Sequence, residues 1–432
     1  MTVAKFGGSS VASAAQIKKV KDILDSDKNR KIIIVSAPGK RDKDDEKITD
    51  MLYKCNALVQ KGQSCKSEFA KIQERFIAIA QELSLDIKSL SLELDEIRYQ
   101  IDAGKGADFT ASRGEYLSAY LISQYLGWEF VDAKDAVIIN DDGTVNPFSY
   151  DRIRMMTSGG GRYVFPGFYG ADKSGIIKTF SRGGSDITGS VVSRSVNADM
   201  YENWTDVSGM YSSDPRIIKD AKVIDVLTYE EARELSDLGA SVFHEEAIAP
   251  LIDVEIPVNI RNTNSSDDFG TLIVPATGEK KLAGVSVKHN LSSIEVRRLM
   301  LFKQHTTRHQ LMTHLHLFGI RPCYSIYGID SVVWFFNSAD ASDGILEAMC
   351  ERLKSQFSLD YVKVERNIAI LGIVGSNLMD TADYLKAAFA LENNNIKLSF
   401  MNYGASDVSV TYGIKEEESN RALEIVYDTL FR

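Results

Sequence analysis

Lys5-Phe6-Gly7-Gly8-Ser9-Ser10 sets a lysine two residues ahead of a glycine pair, with an amphipathic helix pattern following. Glycines let backbone amides approach an anion, and a helix start presents its positive end to it. A lysine on the strand end adds a point charge for phosphate oxygens. The order is not that of a Walker A loop, which needs G-x-x-x-x-G-K-[ST], and a strand-end lysine beside a tight turn is the plain alternative. A second cluster is Ser181-Arg182-Gly183-Gly184-Ser185-Asp186. One arginine before two glycines and a helix start suits bidentate capture of a carboxylate; a surface arginine is its alternative. Glu115 follows Arg113-Gly114 at what reads as a helix start, where a carboxylate also favours the helix dipole. Thr205 and Asp206 follow a strand pattern, where a base and ribose could sit, and Asp214-Pro215 reads as a turn initiator. The set is rich in lysine, arginine and glycine amides and has no catalytic histidine or cysteine. Such a set aligns anions and neutralises charge.

The elements that must position these residues follow from the apolar pattern. Ile32–Val35 is a β-branched run ending at small residues and Pro38-Gly39, as in a buried parallel strand. Further strand candidates are Phe130–Val131, Ala136–Ile139, Tyr163–Phe165, Met200–Trp204 and Val258–Arg261, separated by helical stretches such as Ser112–Leu126 and Asp186–Val196. This alternation predicts an α/β sheet with ligands at the carboxyl ends of its strands. Asp42–Lys47 is a charge run and reads as a solvated loop. The composition shifts near Asn262–Lys281, as in a linker. Beyond it lies an internal repeat: Ile320/Ile396, Tyr327/Tyr403, Gly328/Gly404 and Val332/Val408 share one offset, 76 residues. Each copy reads strand–helix–strand–strand, closed by a helix (Gly344–Gln356; Glu417–Leu430), a paired module for a small ligand or for dimerisation.

With 432 residues, two or three domains are expected. A net charge of −10 argues against general nucleic-acid or anionic-membrane binding. The four cysteines form no C-x-x-C pair, there is no signal-peptide pattern at the start, and no apolar run approaches the ~20 residues of a membrane span. A reducing, cytoplasmic setting is expected.

Val3–Ser13 resembles the opening K-F-G-G-T/S-S-V of aspartokinases, in the amino-acid kinase superfamily. Ser112–Ala119 (SRGEYLSA), Ser181–Ser190 (SRGGSDITGS) and Trp204–Arg216 (WTDVSGMYSSDPR) resemble three further family motifs in family order. The repeat matches the paired ACT domains that follow this kinase. The resemblance implies an α/β, amino-acid-kinase-type sandwich with a mainly parallel central sheet, followed by two α+β ferredoxin-like ACT domains. The implied bounds are 1–275, 282–362 and 363–432, with the two ACT domains able to interleave. It implies transfer of the γ-phosphoryl group of ATP, carried with Mg²⁺, to the β-carboxylate of L-aspartate. The product is 4-phospho-L-aspartate, in the first step of lysine, threonine and methionine biosynthesis. By resemblance Lys5, Arg182 and Asp186 are catalytic. Thr49, Glu115, Arg182 and Ser185 bind aspartate, with Arg182 on the α-carboxylate and Glu115 on the α-ammonium. Lys5, Gly7, Gly8, Ser9, Thr205, Asp206, Tyr211 and Arg216 bind ATP. No dedicated protein metal cage is evident.

Two stretches depart from the family. In Leu238–Ile248 (LGASVFHEEAI), Ser241 stands where a lysine is usual and Glu245 where a proline is. In the regulatory half, Met300 is kept, but Lys303, Arg321 and Cys323 replace small or acidic residues of lysine-binding relatives. Met300, Lys303 and Cys323 are the effector-site candidates, with lysine the first effector expected and threonine close behind. His305 and His309 lie four apart on one helix face, as a metal pair would, with solvated histidines the alternative. A homodimer or homotetramer through the ACT domains is expected. The competing readings are a kinase for another acid of the superfamily and a non-catalytic amino-acid sensor on the same fold. A fused homoserine dehydrogenase is excluded by length and by the lack of G-x-G-x-x-G.

Overall fold

The computed structural model describes residues 1–181, 183–240, 242–278 and 281–432. Its contacts divide the chain into two compact units. The first holds the described residues of Met1–Tyr211, Lys222–Ser236 and Ser241–Glu279; the second holds Ser212–Ala221, Asp237–Ala240 and the described residues of Lys280–Arg432.

The first unit is built on an eight-stranded sheet. Its strands run, in spatial order, Glu129–Phe130, Tyr163–Pro166, Arg30–Val35, Thr2–Phe6, Met200–Thr205, Val258–Asn262, Thr271–Val274 and Val226–Thr228. All neighbours are parallel except Thr271–Val274 against Val258–Asn262. The strands are near-continuous apolar runs because helices cover both faces. On one face Phe6, Ile33, Val35 and Trp204 pack against Ala14, Ile17, Val20 and Leu24 of the helix Ala14–Ser26. Ser13 caps that helix, its side chain accepting from the Gln16 amide at 3.3 Å. The other face carries the helix Gly184–Ser195, buried at nearly every position. There a Cβ on Gly189 would fall 2.3 Å from the Tyr201 hydroxyl, so the glycine is what lets this helix approach the strand.

Register is what matters for the site. Phe6 lies opposite both Val35 and Trp204, and Val35 opposite Pro166. Four parallel strands therefore end level, and the segments Gly7–Ser10, Ser36–Gly39, Gly167 and Asp206 emerge along one edge.

Three sequence expectations need correction. Asn262–Lys281 is not simply a linker: Thr271–Val274 within it is a strand of this sheet, paired with Val258–Asn262 and Val226–Thr228. Ala136–Ile139 is not a strand: Asp132 caps a single helical turn, Ala133–Ala136, and only isolated bridges form at Ile138 and Ile139. Nor is Asp42–Lys47 solvated throughout. The Asp45 carboxylate is buried beneath Arg41 and Arg75, whose charges hold it well below the usual carboxylate range.

The second unit is a six-stranded antiparallel sheet: Tyr324–Tyr327, Ser331–Asn337, Leu282–Arg297, Tyr361–Gly375, Ser409–Lys415 and Phe400–Asn402. Its two long central strands run through both halves of the repeat. Leu291–Arg297 pairs with Ser331–Asn337 in one half, and Ile368–Val374 pairs with Ser409–Lys415 in the other. Ile320 and Ile396 are fully buried at equivalent places, and Tyr327 and Tyr403 are exposed at equivalent turns. Among the described residues no helix is long and apolar enough to cross a membrane.

Candidate active site

Lys5 lies on the central strand, one residue before its end. Its Nζ is 2.6 Å from Asp186 Oδ1 and 3.3 Å from Asn203 Oδ1. Asn203 donates in turn to Asp186 Oδ1 at 2.9 Å, and the Tyr201 hydroxyl donates to the Asp186 carbonyl at 3.2 Å. A buried lysine needs such partners, because desolvating an unpaired ammonium is costly. The pairing draws the lysine head toward the N-terminus of Gly184–Ser195. Asn203 was not anticipated from the sequence. Its signal was a polar residue inside the strand candidate Met200–Trp204, where both Glu202 and Asn203 are buried.

The loop after Lys5 is held closely. The Gly7 amide donates to the Trp204 carbonyl at 2.9 Å, so it extends the sheet, leaving the first amides of the short turn Gly8–Val11 without intrahelical acceptors. Gly8 accepts from the Gly39 amide at 2.8 Å. A Cβ on Gly8 would sit 2.9 Å from the Ala37 carbonyl, and one on Gly39 would sit 2.7 Å from the Gly8 carbonyl carbon. Ser9 follows in the same turn, and Ser10 shares a 2.7 Å hydroxyl contact with Thr263.

Glu115 is not at a helix start. It lies in the interior of Ala107–Leu126, so the helix-dipole account does not apply. Its carboxyl is buried and has one oxygen, Oε2, without a hydrogen-bond partner among the described residues. Burial pushes the carboxyl up to about 8. Gly114 lets Ala37 come close, since a Cβ there would meet the Ala37 Cβ at 2.7 Å and Ile48 and Leu52 at 3.3 Å. Thr49 is half-buried near the start of that neighbouring helix, Ile48–Gln60. One turn on, the Tyr53 phenol is pushed up, chiefly by partial burial and then by the Glu115 charge. Arg113 is structural: its guanidinium stacks on Phe109, Tyr116 and Tyr169 at 4.5–5.3 Å.

Ser185 and Asp186 begin the helix Gly184–Ser195, and both are buried. Gly183, with φ 59°, turns the chain into it; a Cβ there would fall 2.4 Å from His244. A Cβ on Gly167 would overlap Ser185. Arg182 and Ser241 lie outside the described residues. Thr205 ends its strand, its hydroxyl 3.2 Å from the exposed Asp206 carboxylate, and Tyr211 forms an isolated bridge with Val223. Arg216 is exposed and forks onto Asp214 at 2.6–3.1 Å, within the segment Ser212–Ala221 that packs in the second unit. The strand ends thus bring Lys5, Gly7, Gly8, Ser9, Thr205 and Asp206 to one edge, with Asp186 joined to Lys5 and Ser185 beside it.

In the second unit, the Met300 amide bonds Asp330 at 2.7 Å, and Lys303 lies over Phe302 at 5.7 Å. The Cys323 amide donates to the Phe335 carbonyl at 2.8 Å. His305 Nδ1 lies 2.6 Å from the Arg308 guanidinium, and His314 packs edge-on against Phe357. Among the described residues no group of three histidine, cysteine or acidic side chains is arranged to hold a metal.

Comparison with known proteins follows the same lines. The model of the amino acid kinase family matches residues 1–262. Aspartokinase 3 of Bacillus subtilis is 33% identical, the match covering 100% of this chain and 99% of that protein. The crystal structure of Clostridium acetobutylicum aspartate kinase, described as an allosteric enzyme, is 38% identical, with a TM-score of 0.84 over 99% of both chains. E. coli aspartokinase III in complex with aspartate and ADP shares the fold, with a TM-score of 0.84 at 23% identity over 100% of both chains. A strand-borne lysine facing glycine turns at level strand ends, a matching family model and full-length relatives agree: the chain belongs to the amino acid kinase family and, within it, to the aspartokinases.

Proposed function

We propose that the chain transfers the γ-phosphoryl group of MgATP to the β-carboxylate of L-aspartate, giving 4-phospho-L-aspartate. The observation that carries this reading is Lys5, buried, charged and held by Asp186 and Asn203 at the edge where the glycine turns emerge. The nucleophile is already an anion at neutral pH, since a free side-chain carboxyl titrates near ~3.9. No general base is needed. Two anions must be aligned and their charge offset as the phosphoryl group passes between them. Lys5 bridges phosphate oxygens in that step. The amides of the Gly8–Val11 turn cradle the phosphates, and Thr205, Asp206 and Tyr211 take the nucleoside, with Arg216 reaching the phosphates. Glu115 receives the substrate's α-ammonium, Arg182 its α-carboxylate, and Thr49 and Ser185 complete the aspartate site.

The second unit is the regulatory half. Lysine is its first expected effector, with threonine next, and Met300, Lys303 and Cys323 are the residues proposed to meet it. The working form is a cytoplasmic homodimer or homotetramer. Trapping the acyl phosphate as its hydroxamate tests the activity, comparing aspartate with glutamate, each with and without lysine and threonine. ATP-dependent turnover on aspartate alone is expected. A folded, ATP-binding protein that turns over neither acid rejects it in favour of a sensor.

A further inference from the structure

Arg75 lies on the helix Lys66–Glu82, in the stripe that otherwise buries Phe69, Ile72, Phe76 and Ile79. A charged residue at such a position is expensive unless its donors are met. Here the two terminal nitrogens are met, mostly by main chain, while Nε has no hydrogen-bond partner among the described residues. Nη1 donates to the Glu46 carbonyl at 2.8 Å and pairs with Asp45 at 3.2 Å. Nη2 donates to the Ala12 carbonyl at 3.3 Å and, at closer range, to the Gly39 carbonyl. Ala12 ends the turn that begins at Gly8, and Gly39 and Glu46 lie in the loop between Val35 and Ile48. One guanidinium thus ties two separate loops to one helix.

Both loops belong to the site. Gly39 accepts from Arg75 through its carbonyl and donates through its amide to Gly8, the first residue of the phosphate-facing turn. Two residues earlier, Ala37 packs against Gly114 beside Glu115, and its backbone draws the Glu115 titration down against the effect of burial. The same loop therefore reaches the phosphate side through Gly8 and the amino-acid side through Glu115. Beyond it, the Ile48 amide donates to the Pro38 carbonyl at 3.3 Å, which leads into the helix carrying Thr49. We infer that Arg75 is a positioning residue for both substrates: it fixes the Ser36–Lys47 loop against the Gly8–Val11 turn and so sets the phosphate amides and Glu115 together. This rests on the aspartate kinase reading. Asp45, itself clamped by Arg41 at 2.9 Å, anchors the guanidinium from the solvent side.

The test uses the full chain with Arg75→Met, Arg75→Lys and Asp45→Asn, measuring kcat, both KM values and Tm. In Arg75→Met, kcat/KM falls about 100-fold for aspartate and for ATP, the loss a 1 Å misplacement can cause. Arg75→Lys recovers only part, because an ammonium keeps the charge but lacks the fork that spans three carbonyls. Asp45→Asn, with Arg75 still charged, moves both KM values in the same direction by less. A lowered Tm with wild-type KM and kcat in the folded protein would make Arg75 a purely structural residue and overturns the inference. If Arg75→Met does not fold, wild-type constants in both Arg75→Lys and Asp45→Asn overturn it. Wild-type turnover in the same assay separates the two claims. If the wild type turns over no aspartate, the activity reading fails, and MgADP affinity by calorimetry decides the inference: weakened binding in the variants supports it, unchanged binding rejects it.

Discussion

Lys5 and Glu115 face opposite electrostatic problems. Lys5 is a buried cation with a carboxylate 2.6 Å away. Removing one donor that stabilises developing charge typically costs 10²–10³ in rate, so Lys5→Ala is expected to lower kcat by about that factor. Near-wild-type kcat would remove Lys5 from the mechanism. Glu115 is a buried acid with no ion pair among the described residues, and the Arg113 charge only partly offsets its burial. Its carboxyl titrates at about 8 in the folded chain, raised by burial, against ~4.3 for an exposed glutamate. Between those values the folded chain keeps a proton that the unfolded chain has released, so this residue's contribution to stability is full below ~4.3 and is lost as pH rises toward 8. Glu115→Gln removes that loss and should unfold at higher denaturant than wild type at pH 8, with the gap closing toward pH 4. No gap at pH 8 would refute it. An α-ammonium needs the ionised form, whose fraction grows about tenfold per pH unit below 8, so KM for aspartate should fall in step between pH 6 and 8. A flat KM across that range would separate Glu115 from the ammonium. At this scale the sequence was legible where a side chain stands beside glycines. It was silent on Asn203 and Arg75, because their roles depend on what the fold brings to them from distant parts of the chain.

At the scale of elements, the glycines state which contacts are tightest. Gly114 is interior to a helix, where alanine is intrinsically favoured by about 1 kcal/mol. Yet a Cβ there lands 2.7 Å from the Cβ of Ala37, whose backbone lowers the Glu115 titration. Gly114→Ala should therefore raise KM for aspartate by about tenfold, short of the 10²-fold that a 1 Å misplacement can cost. Steady-state kinetics on the purified variant checks this, and an unchanged KM would mean the Ala37 loop is free to shift. Most strands of the first unit were readable because parallel strands covered on both faces are plain apolar runs. Ala136–Ile139 misled because a similar apolar string serves a capped helical turn followed by single bridges. In the second unit the strand–helix–strand–strand pattern of each copy was readable, but not the length of the two central strands, which run Leu282–Arg297 and Tyr361–Gly375. Tyr361–Asn367 alternates between partly buried and exposed positions, so its apolar signal is halved.

For the molecule as a whole, the repeat and the change of unit near residue 280 were visible in sequence, but the stretch read as a linker adds the strand Thr271–Val274 to the first unit's sheet, and the division of the chain is not a single cut. Ser212–Ala221, directly after Tyr211 and containing Arg216, packs in the second unit. Ile218 is buried in the core formed by Val285, Ile373 and Leu423. The Val285 amide donates to the Ser212 carbonyl at 2.8 Å, and Arg432 pairs with Asp220. Asp237–Ala240 packs there too: Lys288 pairs with Asp237 at 2.6 Å, and Ser286 donates to the Leu238 carbonyl at 3.0 Å. Contacts of this kind join residues far apart in the chain, and no local pattern announces them. They also decide what truncation does. A chain ending at residue 278 keeps every motif of the kinase but strips the core from around Ile218 and the partner from Asp237. Two segments, one following the strand Met200–Thr205 and one leading to His244 at Gly183, would lose the packing that orders them. The expected outcome is loss of turnover and weakened MgADP binding, and not a kinase merely freed from feedback. A truncated chain that holds wild-type kcat and ignores lysine and threonine would show that the regulatory half only restrains the active site and does not help to build it.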